Sequence, residues 1–506
     1  MFRSRKEELF SGLAVWNEKG IINDYYHKYP VIFITFKEIK ETNWKSAKTH
    51  LKSVLSEVIL KYFGNVQNGI DREYLKRLAS GEAAFEEYSA LLKRLTRILH
   101  RETGKKTILL IDEYDVPIEA AYTYRDRDPD YYENMVTFMR NMLTAVLKDN
   151  EHLEFGILTG VYRVAKESIF SGLNNLALFT VFDNKMIDKF GFTEDEVFTL
   201  LKYYDLASDE DRKIIEEWYG GYKVGKYLPL YNPWSVLNYI DQRFSGYSPE
   251  ESTQLFWINT SSNDIIKEQV QKNLFLKSDL DALLEGREIL KKLNPWLSLR
   301  ELEETPDGIW TLLVSSGYLI ATWQELGMYK LKLPNKEVQE FFKEVVMNWL
   351  SSALNISFSD LYVSLVMMLK NGETEGFATF LEKFIKNVLS YYDLGFEESE
   401  RVYKAFLLGM LSIALNGFEL ESEMESGYGR LDIVIYPKEK RHGNYAVILE
   451  IKRAEDVKKL KDLARKALDQ IREREYYPKM KRKNLNVIGF GIAFSGKRVF
   501  LANRRI

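Results

Sequence analysis

The sequence predicts an α/β protein with three parts: a parallel sheet near the N-terminus, a helical middle region, and a second α/β unit at the C-terminal end. Three observations lead there. Short apolar runs alternate with long amphipathic stretches over residues 30–160. The pattern then becomes mainly helical and rich in aromatic residues. Near the end, two apolar runs, Ile433-Val434-Ile435 and Ala446-Val447-Ile448-Leu449, are bordered by acidic residues. Strands alternating with helices are the signature of a parallel sheet.

Taken in order, Pro30–Phe36 reads as a buried strand, followed by amphipathic stretches at Trp44–Phe63 and Ala84–His100. Lys106–Glu113 is a strand ending in acid. A helix near Tyr131–Lys148 then leads to a strand at Glu154–Gly160. From about 190 to 345 the chain reads as helical, ending in a helix and a short hairpin (Trp310–Leu319, then Tyr329–Asn335) that fit a winged-helix-like unit. Residues 337–385 read as helical. The expected domains are 1–190, an α/β domain; 191–345, helical and winged-helix-like; 346–389, a helical spacer; and 390–506, the last α/β domain.

Composition narrows the chemistry. Apolar residues make up 45% and aromatic residues 14%, enough for real cores. No run approaches the roughly 18 apolar residues of a membrane span, and the first residues lack an apolar signal core. A cytoplasmic protein without membrane contact is expected. There is no cysteine, which removes disulfides, thiolate metal sites and cysteine nucleophiles together. The five histidines are scattered. Any metal should then be a hard cation on carboxylates, Mg²⁺ or Mn²⁺. Residues 437–506 hold twenty Lys/Arg against eight Asp/Glu, an excess of twelve positive charges, which leaves −15 on residues 1–436. A basic tail on an acidic body points to a polyanionic partner.

The most specific chemistry lies in that tail. Asp432 opens one apolar run, and Glu450-Ile451-Lys452 closes the next. Side chains i and i+2 of a strand share a face, so Glu450 and Lys452 point one way and Ile451 points into the core. Two carboxylates and an ammonium at one place are what a metal-dependent phosphodiesterase needs. Asp432 and Glu450 would hold the metal, with the Ile451 carbonyl as a further ligand, and Lys452 would orient water and stabilise the transition state. Pro437–Asn444 supplies turn residues between the two strands. Arg430 and a cluster including Lys458, Lys459, Lys461, Arg465 and Lys466 can contact phosphates without reading sequence.

A second signal is Ile108–Glu113, which has the form of a Walker B strand. Asp112 at such a strand end can hold Mg²⁺ through water, and Glu113 can orient the attacking water. The phosphate cradle that should precede it does not occur before residue 107. The near match Gly491–Arg498 is read as a β-hairpin turn.

With these motifs in place, the chain resembles the AAA-ATPase-like proteins of bacteria and archaea that carry a C-terminal PD-(D/E)XK nuclease domain. The matching residues are Leu9–Leu13, Tyr29–Ile34, Ile111–Ile118, Leu158–Asn175, Tyr231–Ser235 and Trp257–Asn263. The resemblance implies an incomplete P-loop NTPase-like parallel sheet, followed at the C-terminus by a restriction-endonuclease-like α/β domain. Such proteins normally begin with a Walker A segment that this sequence does not contain, so ATP is expected to bind only where a Walker A is supplied. For a bound nucleotide the resemblance implies Asp112 for Mg²⁺, Glu113 for the water, Thr159 as a sensor of the γ-phosphate and Arg163 as a charge sensor. For the nuclease it implies Glu400 as an added metal-side carboxylate and Gln470, on a helix over Leu463–Glu475, facing the metal site. It also implies assembly into homo-oligomers. The function expected is Mg²⁺-dependent hydrolysis of DNA. The alternatives are an ATP-hydrolysing AAA-family protein and a non-catalytic nucleic-acid-binding regulator.

Overall fold

The computed structural model describes residues 10–64, 66–161, 176–225, 227–258, 277–294, 297, 301, 305, 307–354, 358–391, 411, 418–422, 432–454, 456–471, 480–495 and 498–506. At 227–228, 277–278, 281, 346–354, 358, 385–391 and 432 it describes the backbone alone. The chain forms two compact units, residues 1–338 and 339–506. No helix among the described residues is long and apolar enough to cross a membrane.

In the first unit, β1 (Val31–Thr35), β2 (Thr107–Asp112) and β3 (Leu153–Leu158) form a parallel sheet in that order. Parallel strands need long crossovers. Here the helices Trp44–Phe63, Gly69–Ala79 and Leu91–Thr103 lie between β1 and β2, and Val116–Thr123 and Tyr131–Leu147 between β2 and β3. Asn43 starts the first of these helices by accepting the Ser46 N–H at 3.0 Å. One sheet face, with Ile32, Ile34, Leu109 and Ile111, is buried against Trp44–Phe63, Leu91–Thr103 and Tyr131–Leu147. The register puts Phe33, Phe155 and Ile157 on the opposite face, where they stay 46%, 36% and 51% exposed. Parallel sheets are ordinarily covered on both faces; among the described residues this second apolar face is only partly covered.

The rest of this unit is built on tyrosines. Helices Glu194–Tyr203, Asp209–Tyr219 and Pro233–Phe244 close over Tyr219, Tyr231 and Tyr239. Thr193, Ser208 and Asn232 cap their N-termini. Asp211 is buried beneath them and accepts hydrogen bonds from Ser208 Oγ (2.6 Å), Tyr239 Oη (2.7 Å) and Arg243 Nε (2.7 Å). Burial would raise its pKa, but these bonds outweigh it and hold the carboxyl below its usual range. Strands β4 (Tyr222–Val224) and β5 (Tyr227–Leu230) form a hairpin. Strands β6 (Ile289–Lys292), β7 (Ile320–Trp323) and β8 (Met328–Lys332) form an antiparallel sheet in the order β6-β8-β7, and the helix Gly308–Ser315 leads into β7.

The second unit is a five-stranded sheet in the order β13-β12-β11-β10-β9: β9 (Phe418–Ser422), β10 (Asp432–Pro437), β11 (Tyr445–Arg453), β12 (Asn486–Ser495) and β13 (Arg498–Arg505). Only β11 and β12 run parallel. The helix Leu460–Gln470 is the crossover between them and packs on β12, β11 and β13. Phe377, on the helix Glu375–Tyr391, meets Phe490 edge-on at 5.4 Å. The hairpin read at Gly491–Arg498 is present as β12 and β13.

One buried acid ties several parts of the first unit together. Glu337 is 0% exposed. It accepts hydrogen bonds from Ser235 Oγ at 2.9 Å and from the Trp257 N–H at 3.0 Å. Burial pushes its carboxyl up to about 7 from 4.5, against the opposing pull of those hydrogen bonds. Between these two values the folded protein holds a proton that the unfolded chain has released, so stability falls as pH rises through this window. The effect is worth roughly 3 kcal/mol. Glu337→Gln, which keeps the shape and removes the titration, is expected to flatten this dependence. In urea titrations at pH 5 and pH 8, wild type should lose stability relative to the variant at the higher pH.

Candidate active site

The C-terminal sheet gathers the expected tail residues around β11. Glu450 is 2% exposed. Lys452 Nζ lies 3.8 Å from Glu450 Oε1 and donates a hydrogen bond to Gln470 Oε1. Alternation along β11 puts Glu450 and Lys452 on one side and the buried Ile451 on the other. Asp432 is the register partner of Glu450 on β11. A buried carboxylate is costly unless its charge is matched, and the Lys452 ammonium supplies the match.

The position of Gln470 follows from two glycines. Gly491 is the register partner of Glu450 on β12. A β-carbon there would lie 2.0 Å from the Ala464 carbonyl oxygen and 2.7 Å from the Leu468 nitrogen. At Gly489 it would meet Leu468 and Ile471 side chains at 3.0 and 3.1 Å. The Leu460–Gln470 helix thus lies directly on the strand backbone, with its last residue beside Lys452.

The first unit shows a second polar cluster, at the C-terminal edge of its parallel sheet. Asp112 accepts hydrogen bonds from Thr35 Oγ1 at 3.0 Å and Thr159 Oγ1 at 2.8 Å. All three residues stand at or just beyond strand ends. Glu113 follows with a left-handed φ of 51°, which turns the chain sharply out of the sheet. Gly160 is equally constrained: a β-carbon there would come 2.6 Å from the Asp115 carboxylate and 2.8 Å from the Tyr114 ring. Thr35 was not among the expected site residues. Its signal was a threonine ending a strand whose neighbour ends in aspartate.

Arg163, Glu400 and Arg430 lie outside the described residues, as does the Asp432 side chain. Among the described residues, no three or more His, Asp or Glu side chains converge in a way that could hold a metal ion.

Residues 1–170 match the family model described as a predicted AAA-ATPase, and residues 398–504 match that of the PD-(D/E)XK nuclease superfamily. The chain carries an AAA-ATPase-like domain and a PD-(D/E)XK nuclease superfamily domain. The AAA-ATPase-like match contains the whole three-stranded parallel sheet, and the nuclease match contains the β11 cluster. The chain is also 25% identical over 420 residues, covering 81% of it and 73% of the relative, to an uncharacterized protein in the vnfD 5' region of Azotobacter chroococcum mcd 1. No solved structure matches the chain.

The glycine contact yields a direct test of how the nuclease-superfamily domain is assembled. Gly491→Ala must displace the Leu460–Gln470 helix, because the obstacle is backbone rather than a mobile side chain. Overpacking typically costs 1–3 kcal/mol, and a loss of about 3 kcal/mol or more is expected, read as a lowered unfolding midpoint of this domain.

Proposed function

We propose that the C-terminal domain hydrolyses phosphodiester bonds in DNA, with Asp432 and Glu450 as the carboxylates that hold a divalent cation, Mg²⁺ or Mn²⁺. The observation that carries this reading is the Lys452 ammonium, set between buried Glu450 and Gln470, with Glu450 the register partner of Asp432. The donors available there are oxygens, and the chain has no thiolate, which fits a hard cation. Asp432, Glu450 and the Ile451 carbonyl would hold it, with Glu400 added as the resemblance implies. When bound, such an ion lowers the pKa of its water and offsets charge on the scissile phosphate.

The chain's own groups supply the rest. Lys452, held by Gln470, orients the attacking water and offsets the negative charge that develops on the phosphoryl oxygens. Glu450, 3.8 Å away, helps position that ammonium. The twelve excess positive charges of residues 437–506 favour a polyanionic substrate.

Incubating the whole protein with linear and circular DNA, with Mg²⁺, with Mn²⁺ and with a chelator, tests the proposal. Cleavage should require the metal. Lys452→Ala and Glu450→Gln should each slow it at least about 100-fold, with melting curves confirming that the variants are folded. Metal-independent cleavage, or none under any condition, would sink the reading.

A second reading, nucleotide at the first sheet, is favoured by the Thr35–Asp112–Thr159 cluster. Carboxylates that engage Mg²⁺ are commonly held by such outer hydrogen bonds. In this reading Asp112 engages Mg²⁺, Glu113 orients water, and Thr159 with Arg163 senses the γ-phosphate. Asp112→Ala should then abolish any release of phosphate from ATP; equal release by wild type and variant would remove this role.

A further inference from the structure

Away from the cluster on β11, the same domain holds an open concavity of about 380 Å³. Its rim carries Lys458, Lys461 and Arg498, and its walls include Val457, Val499 and Phe500. It lies between the first turn of the Leu460–Gln470 helix and the start of β13. All three cations are exposed. Among the described residues from 418 to 506 the ion pairs are Arg441–Glu439, Lys452–Glu450 and Arg504–Asp469, and none uses a cation of the rim. Three carboxylates are near in sequence, Glu455, Asp456 and Asp462, of which Glu455 lies outside the described residues. Asp456 is engaged locally, accepting the Lys458 N–H at 2.9 Å. Asp462 is exposed and forms none of those ion pairs.

We propose that this groove binds the sugar–phosphate backbone of a polynucleotide, outside the residues that cleave it. The inference rests on the nuclease reading and adds to it where the strand runs. Three converging cations leave a positive potential that a chain of phosphates satisfies at successive positions. The apolar wall distinguishes this groove from a merely solvated basic face. Val457 is 39% exposed, and with Val499 and Phe500 it offers contact to sugars and base faces, the pairing that nucleic-acid channels use. Gln470, which holds Lys452, ends the same helix that begins beside the groove. The two ends are about 15 Å apart along the axis, roughly four to five nucleotides of a strand rising 3.4 Å each.

The test uses the full chain with a chelator present, so that binding is read without cleavage. Fluorescence anisotropy with a labelled 30-nucleotide DNA, single- and double-stranded, is followed across a salt series. The variant Lys458→Ala/Lys461→Ala/Arg498→Ala is compared with a charge-matched control on the loop after β10, Lys438→Ala/Lys440→Ala/Arg441→Ala. The groove variant should bind at least about tenfold more weakly, with a log–log salt slope shallower by about 2 to 3. The control should stay within about twofold of wild type. On long DNA with metal, the groove variant should raise KM and leave kcat unchanged. Wild-type slope and affinity in the groove variant, or equal losses in the control, overturn the proposal. Metal-dependent cleavage with unaltered binding by the groove variant removes the groove and leaves the nuclease reading. A groove effect in a wild-type protein that never cleaves removes the nuclease reading alone.

Discussion

The carbonyl oxygen of Ala464 occupies the space that a β-carbon on Gly491 would need, and that contact sets how closely the Leu460–Gln470 helix approaches the sheet. Much of the C-terminal domain depends on it. Helix and sheet meet backbone to backbone, which lets Ala464 and Ala467 pack with no exposure and brings Leu468 over Gly489. The last residue of the helix then reaches the ammonium of Lys452. With a side chain at position 491 the helix would stand further off, and Gln470 would lose its partner. The chemistry proposed for β11 is thus conditional on an atom that is absent from β12.

Buried charge is handled in two ways in this chain. Asp211 has a guanidinium and two hydroxyls directed at it and stays ionised below its ordinary range. Glu337 is hydrogen-bonded by a hydroxyl and by backbone N–H groups, and its carboxyl rises to about 7. The difference is the full positive charge: hydrogen bonds to neutral donors offset only part of the cost of removing a carboxylate from water. Glu450 resembles Asp211 in having a cation nearby, though at 3.8 Å and shared with Gln470.

Most of the fold is legible in the sequence where the signal is local. The strand at Val31–Thr35 and the helix at Trp44–Phe63 follow from an apolar run and from period-3.6 patterning. The placing of Glu450 and Lys452 on one face follows from the two-residue repeat of a strand. What was not legible depends on apposition across the chain. Thr35 and Thr159 meet Asp112 over separations of 77 and 47 residues, because three parallel strands end at one edge. No local pattern marks Thr35. The groove at Lys458, Lys461 and Arg498 joins a helix start to a hairpin almost forty residues later; the sequence marks Lys458 and Lys461 as phosphate contacts but gives no sign that Arg498 stands with them.

The sequence by itself determined the residue types of the proposed site: an oxygen-donor set with an ammonium, Asp432, Glu450 and Lys452, in a chain without cysteine. It did so because strand alternation and composition are properties of the local chain. Tertiary structure alone decided that Asp432 and Glu450 are register partners, that Gln470 holds Lys452, and that Asp112 is shared by two threonines. Those outcomes depend on strand order, register and the depth at which a helix sits on a sheet. Each is set by packing between segments distant in sequence, where one missing β-carbon moves a side chain into or out of reach.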